Sequence, residues 1–80
     1  DLMIVVGGKN SSNTKELFEN VKKITNSIFL ENIYDYKSEL ENNGIKLSKN
    51  IQIGLTAGAS TERLELETLK TLLENDIRNL

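Results

Sequence analysis

The hydrophobic positions of this chain alternate between two spacings, one typical of buried strands and one typical of amphipathic helices. The first segment, Leu2-Met3-Ile4-Val5-Val6, is an unbroken apolar run that stops at Gly7-Gly8. Such a run predicts a strand that is buried on both faces of a parallel sheet. From Thr14 to Ile24 the spacing becomes helical, with apolar residues at Leu17, Phe18, Val21 and Ile24. This second pattern predicts an amphipathic helix.

The same alternation continues through the rest of the chain. Ser27-Ile28-Phe29-Leu30 predicts a second short strand, and residues 34–41 predict a weaker helix that carries Tyr36 and Leu40 at i, i+4 spacing. Asn42-Asn43-Gly44 is a typical helix end. Ile51-Gln52-Ile53-Gly54-Leu55 predicts the third strand. A final helix is predicted from a stripe made of Leu66, Leu69, Leu73, Ile77 and Leu80.

The resulting order, βαβαβα, predicts a single α/β domain over residues 1–80. Strands that alternate with helices through short connections form a parallel sheet with right-handed crossovers. We expect the strand order 2-1-3 in a small three-layer fold, because the first strand is the most apolar and belongs at the centre.

Composition narrows the chemistry that this chain supports. It has 80 residues, a net charge of −2, and neither cysteine nor histidine. Disulfides, thiolate or imidazole catalysis and the usual zinc sites are therefore excluded for this chain by itself, and we expect neither catalytic nor metal-binding residues in it. Its charge does not favour nucleic acid, and its apolar runs are too short to span a membrane. We expect a cytoplasmic protein and, because Asp1 directly precedes an apolar run, a piece of a longer polypeptide.

Two loops of small residues carry the most informative pattern. Residues 7–14 follow the first predicted strand and residues 56–61 follow the third. In the order 2-1-3 the carboxyl ends of these strands flank a crevice, which is where open α/β sheets bind ligands. Each loop also opens a helix, whose first N–H groups attract anions. The hydroxyl and amide side chains there suit a phosphate or diphosphate, with Ser11, Ser12, Asn13 and Ser60 as the candidate donors.

A structural explanation of the first loop remains open at this point. Ser, Asn and Thr are also the preferred helix N-caps, and Asn13-Thr14-Lys15-Glu16 fits a capping box in which Glu16 reaches back to the helix start. A cap needs one residue, however, whereas this loop offers several. Lys9 is better explained as a solvated surface lysine than as a ligand contact.

The two loops also carry a family resemblance. The strings DLMIVVGGKNSSNTKEL and IGLTAGAST, each leaving a strand for a helix, closely resemble the C-terminal third of the LytB family, the 4-hydroxy-3-methylbut-2-enyl diphosphate reductases. The resemblance covers essentially the whole chain and includes the order of strands and helices between the two strings. It implies that this chain is similar to the third of three α/β domains, which together surround a central iron–sulfur cluster and the substrate pocket.

The resemblance implies a specific activity for the longer polypeptide. LytB enzymes use a 4Fe-4S iron–sulfur cluster, with electrons from a donor such as ferredoxin or flavodoxin, to remove the hydroxyl of an allylic diphosphate. The products are isopentenyl and dimethylallyl diphosphates of the non-mevalonate pathway. The family's Ser-Ser-Asn segment falls on Ser11, Ser12 and Asn13, and the serine of its Ala-Gly-Ala-Ser string falls on Ser60. These positions are implied to bind the substrate diphosphate.

The chain also departs from the family pattern. The cluster-binding cysteines, the histidines that share the diphosphate, and the Glu and Thr of proton delivery have no counterparts here, so the cluster would be bound outside this chain. After Ser60, Thr61-Glu62-Arg63-Leu64 replaces the usual Pro-Asp-Trp-like continuation. We therefore expect an inactive fragment that binds diphosphate. The alternatives are a stand-alone phosphate- or nucleotide-binding module and a non-catalytic interaction domain.

Overall fold

The computed structural model describes residues 2–8, 10–58 and 63–80, and in this part of the chain three parallel strands form one sheet. The strands are β1 (Leu2–Val6), β2 (Ser27–Leu30) and β3 (Ile53–Ala57), the α-helices are α1 (Ser12–Lys22), α2 (Tyr36–Asn42) and α3 (Arg63–Arg78), and a 3₁₀ turn (Ile33–Asp35) precedes α2. The sheet order is β2-β1-β3. The predicted α/β fold and its strand order are both confirmed.

The pairing register brings the ends of the strands together at one edge of the sheet. Val6, the last residue of β1, is aligned with Leu30 on β2 and with Ala57 on β3. All three strands run in the same direction, so the segments that follow them leave from the same edge. This edge is where the sequence places both small-residue loops.

Alternate residues of β1 face the two helical layers. Leu2, Ile4 and Val6 belong to the main core cluster, which also contains Leu69 and Leu73 of α3. The intervening residues of a strand point to the opposite face, where α1 packs. On that side the rings of Phe18 and Phe29 meet edge to face, with centroids 5.7 Å apart. The helices therefore cover both faces, as a three-layer fold requires.

The predicted spacing of the second helical segment is correct, although its start is not. Tyr36 and Leu40 are both buried in the core. The α-helix begins at Tyr36 because a 3₁₀ turn comes first, and the Asn32 side chain accepts a hydrogen bond of 3.0 Å from the Tyr34 N–H at that turn. Tyr34 itself is 69% exposed. The segment ends at Gly44, whose φ of +68° is the left-handed conformation of a helix end.

Two hydrophobic residues assigned to helical stripes lie outside the core. Ile24 is 86% exposed, because α1 ends at Lys22 and the N–H groups of Ile24 and Thr25 both bond to the Val21 carbonyl in the turn toward β2. Leu80 is also exposed, since it follows the end of α3. Both predictions are wrong for the same reason, which is that the helix ends before the hydrophobic spacing does.

The third strand lies two residues later than the sequence predicts. Pairing with β1 begins at Ile53 opposite Leu2 and continues through Thr56 and Ala57. These two residues were predicted to open the loop, but they pair with Val5 and Val6. The loop that leaves β3 therefore begins at Gly58.

Candidate functional site

The connection between β1 and α1 is a tight turn held by backbone hydrogen bonds. The Gly7 N–H donates to the Leu30 carbonyl at 3.0 Å, which continues the β1–β2 pairing by one residue. The Ser11 N–H then donates to the Gly8 carbonyl at 3.1 Å. This turn delivers the chain to the start of α1 at the carboxyl edge of the sheet.

Ser11 is the N-cap of α1. Its backbone is extended, its Oγ accepts a hydrogen bond of 3.3 Å from the Thr14 N–H, and its carbonyl accepts one of 3.1 Å from the Lys15 N–H. The capping box predicted at Asn13 and Glu16 is therefore wrong. The helix starts two residues earlier than that capping box requires. The turn after Gly8 places the Ser11 Oγ within reach of the third N–H group of the helix, as an N-cap requires.

Because Ser11 is the cap, the Ser12 and Asn13 side chains at the start of α1 are not needed to cap the helix. Both side chains are exposed. Their N–H groups belong to the first turn, where a helix has no carbonyl to accept them, and neither has a partner in the described part of the chain. The first turn also holds no acidic residue. These groups form a set of unused donors at the positive end of the helix dipole.

The second loop leaves the sheet directly beside the first. The Gly58 N–H donates to the Val6 carbonyl at 3.2 Å, so the chain after β3 is still attached to the end of β1. Adjacent strands in a sheet lie about 4.8 Å apart. Ser60 is outside the described residues, as is Lys9, and the assignment of Ser60 to the site stays a prediction.

Thr14 lies where the two loops and α1 meet, and sequence reasoning did not single it out. It is completely buried in the first turn of α1, against both Gly7 and Gly58. Its hydroxyl has no hydrogen-bond partner within residues 2–8, 10–58 and 63–80. Glycines directly after two neighbouring strands are the only sequence signal of this close approach.

Three surface cavities of the described part, of about 350 to 460 Å³, have walls that do not include Ser11, Ser12 or Asn13. One cavity is near the same edge of the sheet, but Glu31 and Glu65 line it.

The sequence contains neither cysteine nor histidine, whereas iron–sulfur clusters are bound mainly by cysteine thiolates. Within residues 2–8, 10–58 and 63–80, the acidic side chains also form no group that could hold a metal ion. No helix in that part of the chain has the length and apolar character to cross a bilayer.

Comparison with known proteins identifies the family. The model of the LytB protein family matches residues 1–74. The chain belongs to the LytB family. LytB membership agrees with the two loops at the edge of the sheet, because both strings that carry the resemblance include those loops.

Curated LytB relatives are named 4-hydroxy-3-methylbut-2-enyl diphosphate reductase. The protein of Clostridioides difficile is 43% identical over 75 residues, and that of Clostridium acetobutylicum is 43% identical over 81 residues. These alignments cover 94% and 99% of this chain but only 25% and 12% of the relatives. The chain thus spans a quarter or less of the length of these relatives. No solved structure matches it.

Proposed function

We propose that this chain binds the diphosphate group of the substrate within a LytB reductase. Ser11, Ser12 and Asn13 at the start of α1, together with Ser60 after β3, would donate hydrogen bonds to its phosphate oxygens. The rest of the polypeptide would form two further domains. The chain alone would be inactive, since the residue types that bind an iron–sulfur cluster are absent from it.

The observation that carries this proposal is that the start of α1 has more hydrogen-bond donors than helix capping uses. Capping requires only Ser11, whose Oγ already accepts the Thr14 N–H. The exposed Ser12 and Asn13 side chains and their first-turn N–H groups add nothing further to the helix. Their position, orientation along the helix dipole and lack of acidic neighbours in the first turn favour an anion.

The same groups explain how a diphosphate could be held without histidine. A serine hydroxyl both accepts and donates, so Ser11 can cap the helix and still donate its own proton. Hydrogen bonds to a charged group contribute about 1.5–3 kcal/mol each. A few such bonds barely exceed the entropy lost on association, so this part of the protein orients the substrate more than it provides affinity.

The remaining parts of the reaction would be supplied from outside this chain. Cysteines elsewhere in the polypeptide would hold a 4Fe-4S cluster. The cluster would supply the electron pair, received from ferredoxin or flavodoxin in the cytoplasm, and with added protons the hydroxyl of the allylic diphosphate would leave as water. The products would be isopentenyl and dimethylallyl diphosphates. Fixing the diphosphate would place the allylic end of the substrate at a constant position relative to the other domains.

Steady-state kinetics of the full-length polypeptide test the proposal. Ser12→Ala and Asn13→Ala should each raise KM by about tenfold or more, which corresponds to the loss of one charge-assisted hydrogen bond. The iron and sulfide content should stay at the wild-type level. Ser38→Ala and Asn20→Ala are matched controls on exposed helical positions, and their KM should not change.

Two outcomes would contradict the proposal. One is an unchanged KM in both site variants. The other is loss of the cluster in either variant, which would indicate a role in assembling the enzyme rather than in binding diphosphate. A nucleoside monophosphate that competes better than inorganic diphosphate would favour a nucleotide-binding module instead.

A further inference from the structure

The Thr14 side chain occupies a space that exists only because two of its neighbours are glycines. A Cβ added to Gly7 would lie 2.6 Å from both Cγ2 and Oγ1 of Thr14. A Cβ on Gly58 would overlap the same Oγ1 and lie 3.2 Å from the Thr14 Cβ. Real Cβ atoms essentially never approach another heavy atom within 3.0 Å, so alanine at either position would force Thr14 to move.

This contact joins the two loops of the candidate site through one residue. Gly7 follows β1, Gly58 follows β3, and Thr14 belongs to the first turn of α1. Ser12 and Asn13 directly precede Thr14 along the helix. Any displacement of Thr14 away from the strands would therefore shift the donors at the start of α1 relative to the chain that leaves β3.

No side-chain hydrogen bond to a described residue holds the Thr14 side chain in this place. Thr14 is 0% exposed, and its hydroxyl has no partner among the described residues. An unpaired buried hydroxyl lowers stability by about 1–3 kcal/mol. The contribution of Thr14 is therefore its shape, which fills the gap between the two strand ends.

We propose that Thr14 is a positioning residue for the diphosphate site. Its side chain, seated between Gly7 and Gly58, sets the distance between the start of α1 and the loop after β3. This inference rests on the proposed function, because that distance matters only if both loops contact one ligand. A ligand with fixed geometry is sensitive to such spacing, and a misplacement of about 1 Å can reduce the rate by about 100-fold.

The test is a set of glycine variants in the full-length polypeptide. Gly58→Ala should raise both KM and the inhibition constant of inorganic diphosphate by about tenfold or more. The double variant Thr14→Ala/Gly58→Ala removes Oγ1, the atom that the new Cβ would overlap, and leaves the residue 14 Cβ at 3.2 Å. It should recover most of the lost diphosphate affinity, although each single change is harmful.

Gly54→Ala is the matched control, because its new Cβ would crowd the same strand, β3, at a position away from the site. Its Cβ would meet the flexible end of Met3 at 2.8 Å, and Gly54 lies near the opposite end of β3 from Gly58. Both single variants should lower Tm. Only Gly58→Ala should raise KM when the assays are run well below the lower Tm.

The outcomes separate the two proposals. If Ser12→Ala raises KM but Gly58→Ala does not, Thr14 has no positioning role and the diphosphate site stands. The positioning role would also be overturned if the double variant were no better than Gly58→Ala, or if Gly54→Ala raised KM equally. If wild-type protein is not inhibited by inorganic diphosphate and Ser12→Ala leaves KM unchanged, the proposed function itself is wrong.

Discussion

The Tyr36 hydroxyl donates a hydrogen bond to the Asp76 carboxylate and thereby joins α2 to α3. The two residues are 40 positions apart in the sequence. Lys37 Nζ lies 3.8 Å from the same carboxylate oxygen. Because both helices pack on one face of the sheet, this contact holds together the layer that lies opposite α1.

This contact predicts a loss of stability at alkaline pH. Burial, the hydrogen bond to Asp76 and the negative charge of Asp76 raise the pKa of Tyr36 from 10.0 to about 12. A raised pKa means that the folded state retains the proton which the unfolded state loses. The stabilisation is complete below pH 10 and should be lost as the pH rises from about 10 to 12, by on the order of 2 kcal/mol.

Denaturant unfolding of wild-type protein and the Tyr36→Phe variant across this pH range tests the prediction. The variant should be less stable than wild type below pH 10 and should lack the alkaline loss that Tyr36 causes. Tyr34→Phe is the control, since Tyr34 is exposed, and it should behave as wild type. Equal alkaline losses in wild type and Tyr36→Phe would contradict the assignment.

The cap at Ser11 predicts a stability effect that is separable from ligand binding. Ser11→Ala removes the oxygen that accepts the Thr14 N–H and should lower the free energy of unfolding by about 1 kcal/mol. Ser12→Ala should change it by less than about 0.5 kcal/mol, because Ser12 is exposed and alanine favours helices. Thermal unfolding of both variants compares them directly. A larger loss in Ser12→Ala would show that the cap has been assigned to the wrong serine.

The turn after α2 predicts the order in which two substitutions of Gly44 lower the stability of the protein. Its φ of +68° disfavours residues with a Cβ, so Gly44→Ala should reduce the free energy of unfolding by about 1–2 kcal/mol. Gly44→Asn should reduce it less, because asparagine tolerates the left-handed region. No atom lies within 4 Å of a Cβ added there, so crowding would not obscure the comparison. Equal stability of all three proteins would argue against the left-handed turn.

The unpaired Thr14 hydroxyl predicts the sign of another stability change. Thr14→Val keeps the branched shape and removes the buried oxygen that has no partner. The free energy of unfolding should stay equal or rise by about 1 kcal/mol. Chemical denaturation of the unliganded protein measures this change. A loss of more than about 1 kcal/mol would mean that the hydroxyl is hydrogen-bonded in the folded protein.

The sequence predicts the fold better than it predicts the ends of the elements. The unbroken apolar run at the first strand was enough to place β1 at the centre, because only a strand covered on both faces is apolar at every position. The end of α1 could not be read from Ile24, since an apolar residue can continue the helical spacing after the hydrogen bonds have turned away. Thr56 and Ala57 were misassigned because pairing with β1, rather than local composition, extends β3.

The sequence predicted the edge of the sheet from which both loops leave, but not the contacts at the start of α1. Small polar residues after the first and third strands were the signal for this edge. Which serine caps α1 depended on the turn between Gly8 and Ser11, and a hydrogen bond within a tight turn leaves no hydrophobic pattern. The burial of Thr14 depended on the approach of two glycines that are far apart in the sequence.

Calorimetric titration of the full-length polypeptide with inorganic diphosphate tests the central claim most directly. Wild type should bind, and Ser12→Ala/Asn13→Ala should bind about 100-fold more weakly, because two hydrogen bonds to a charged group are lost. The control Asn20→Ala should match wild type, and all proteins should hold the same amount of iron. Equal diphosphate affinity in the double variant and wild type would show that the start of α1 does not bind the diphosphate.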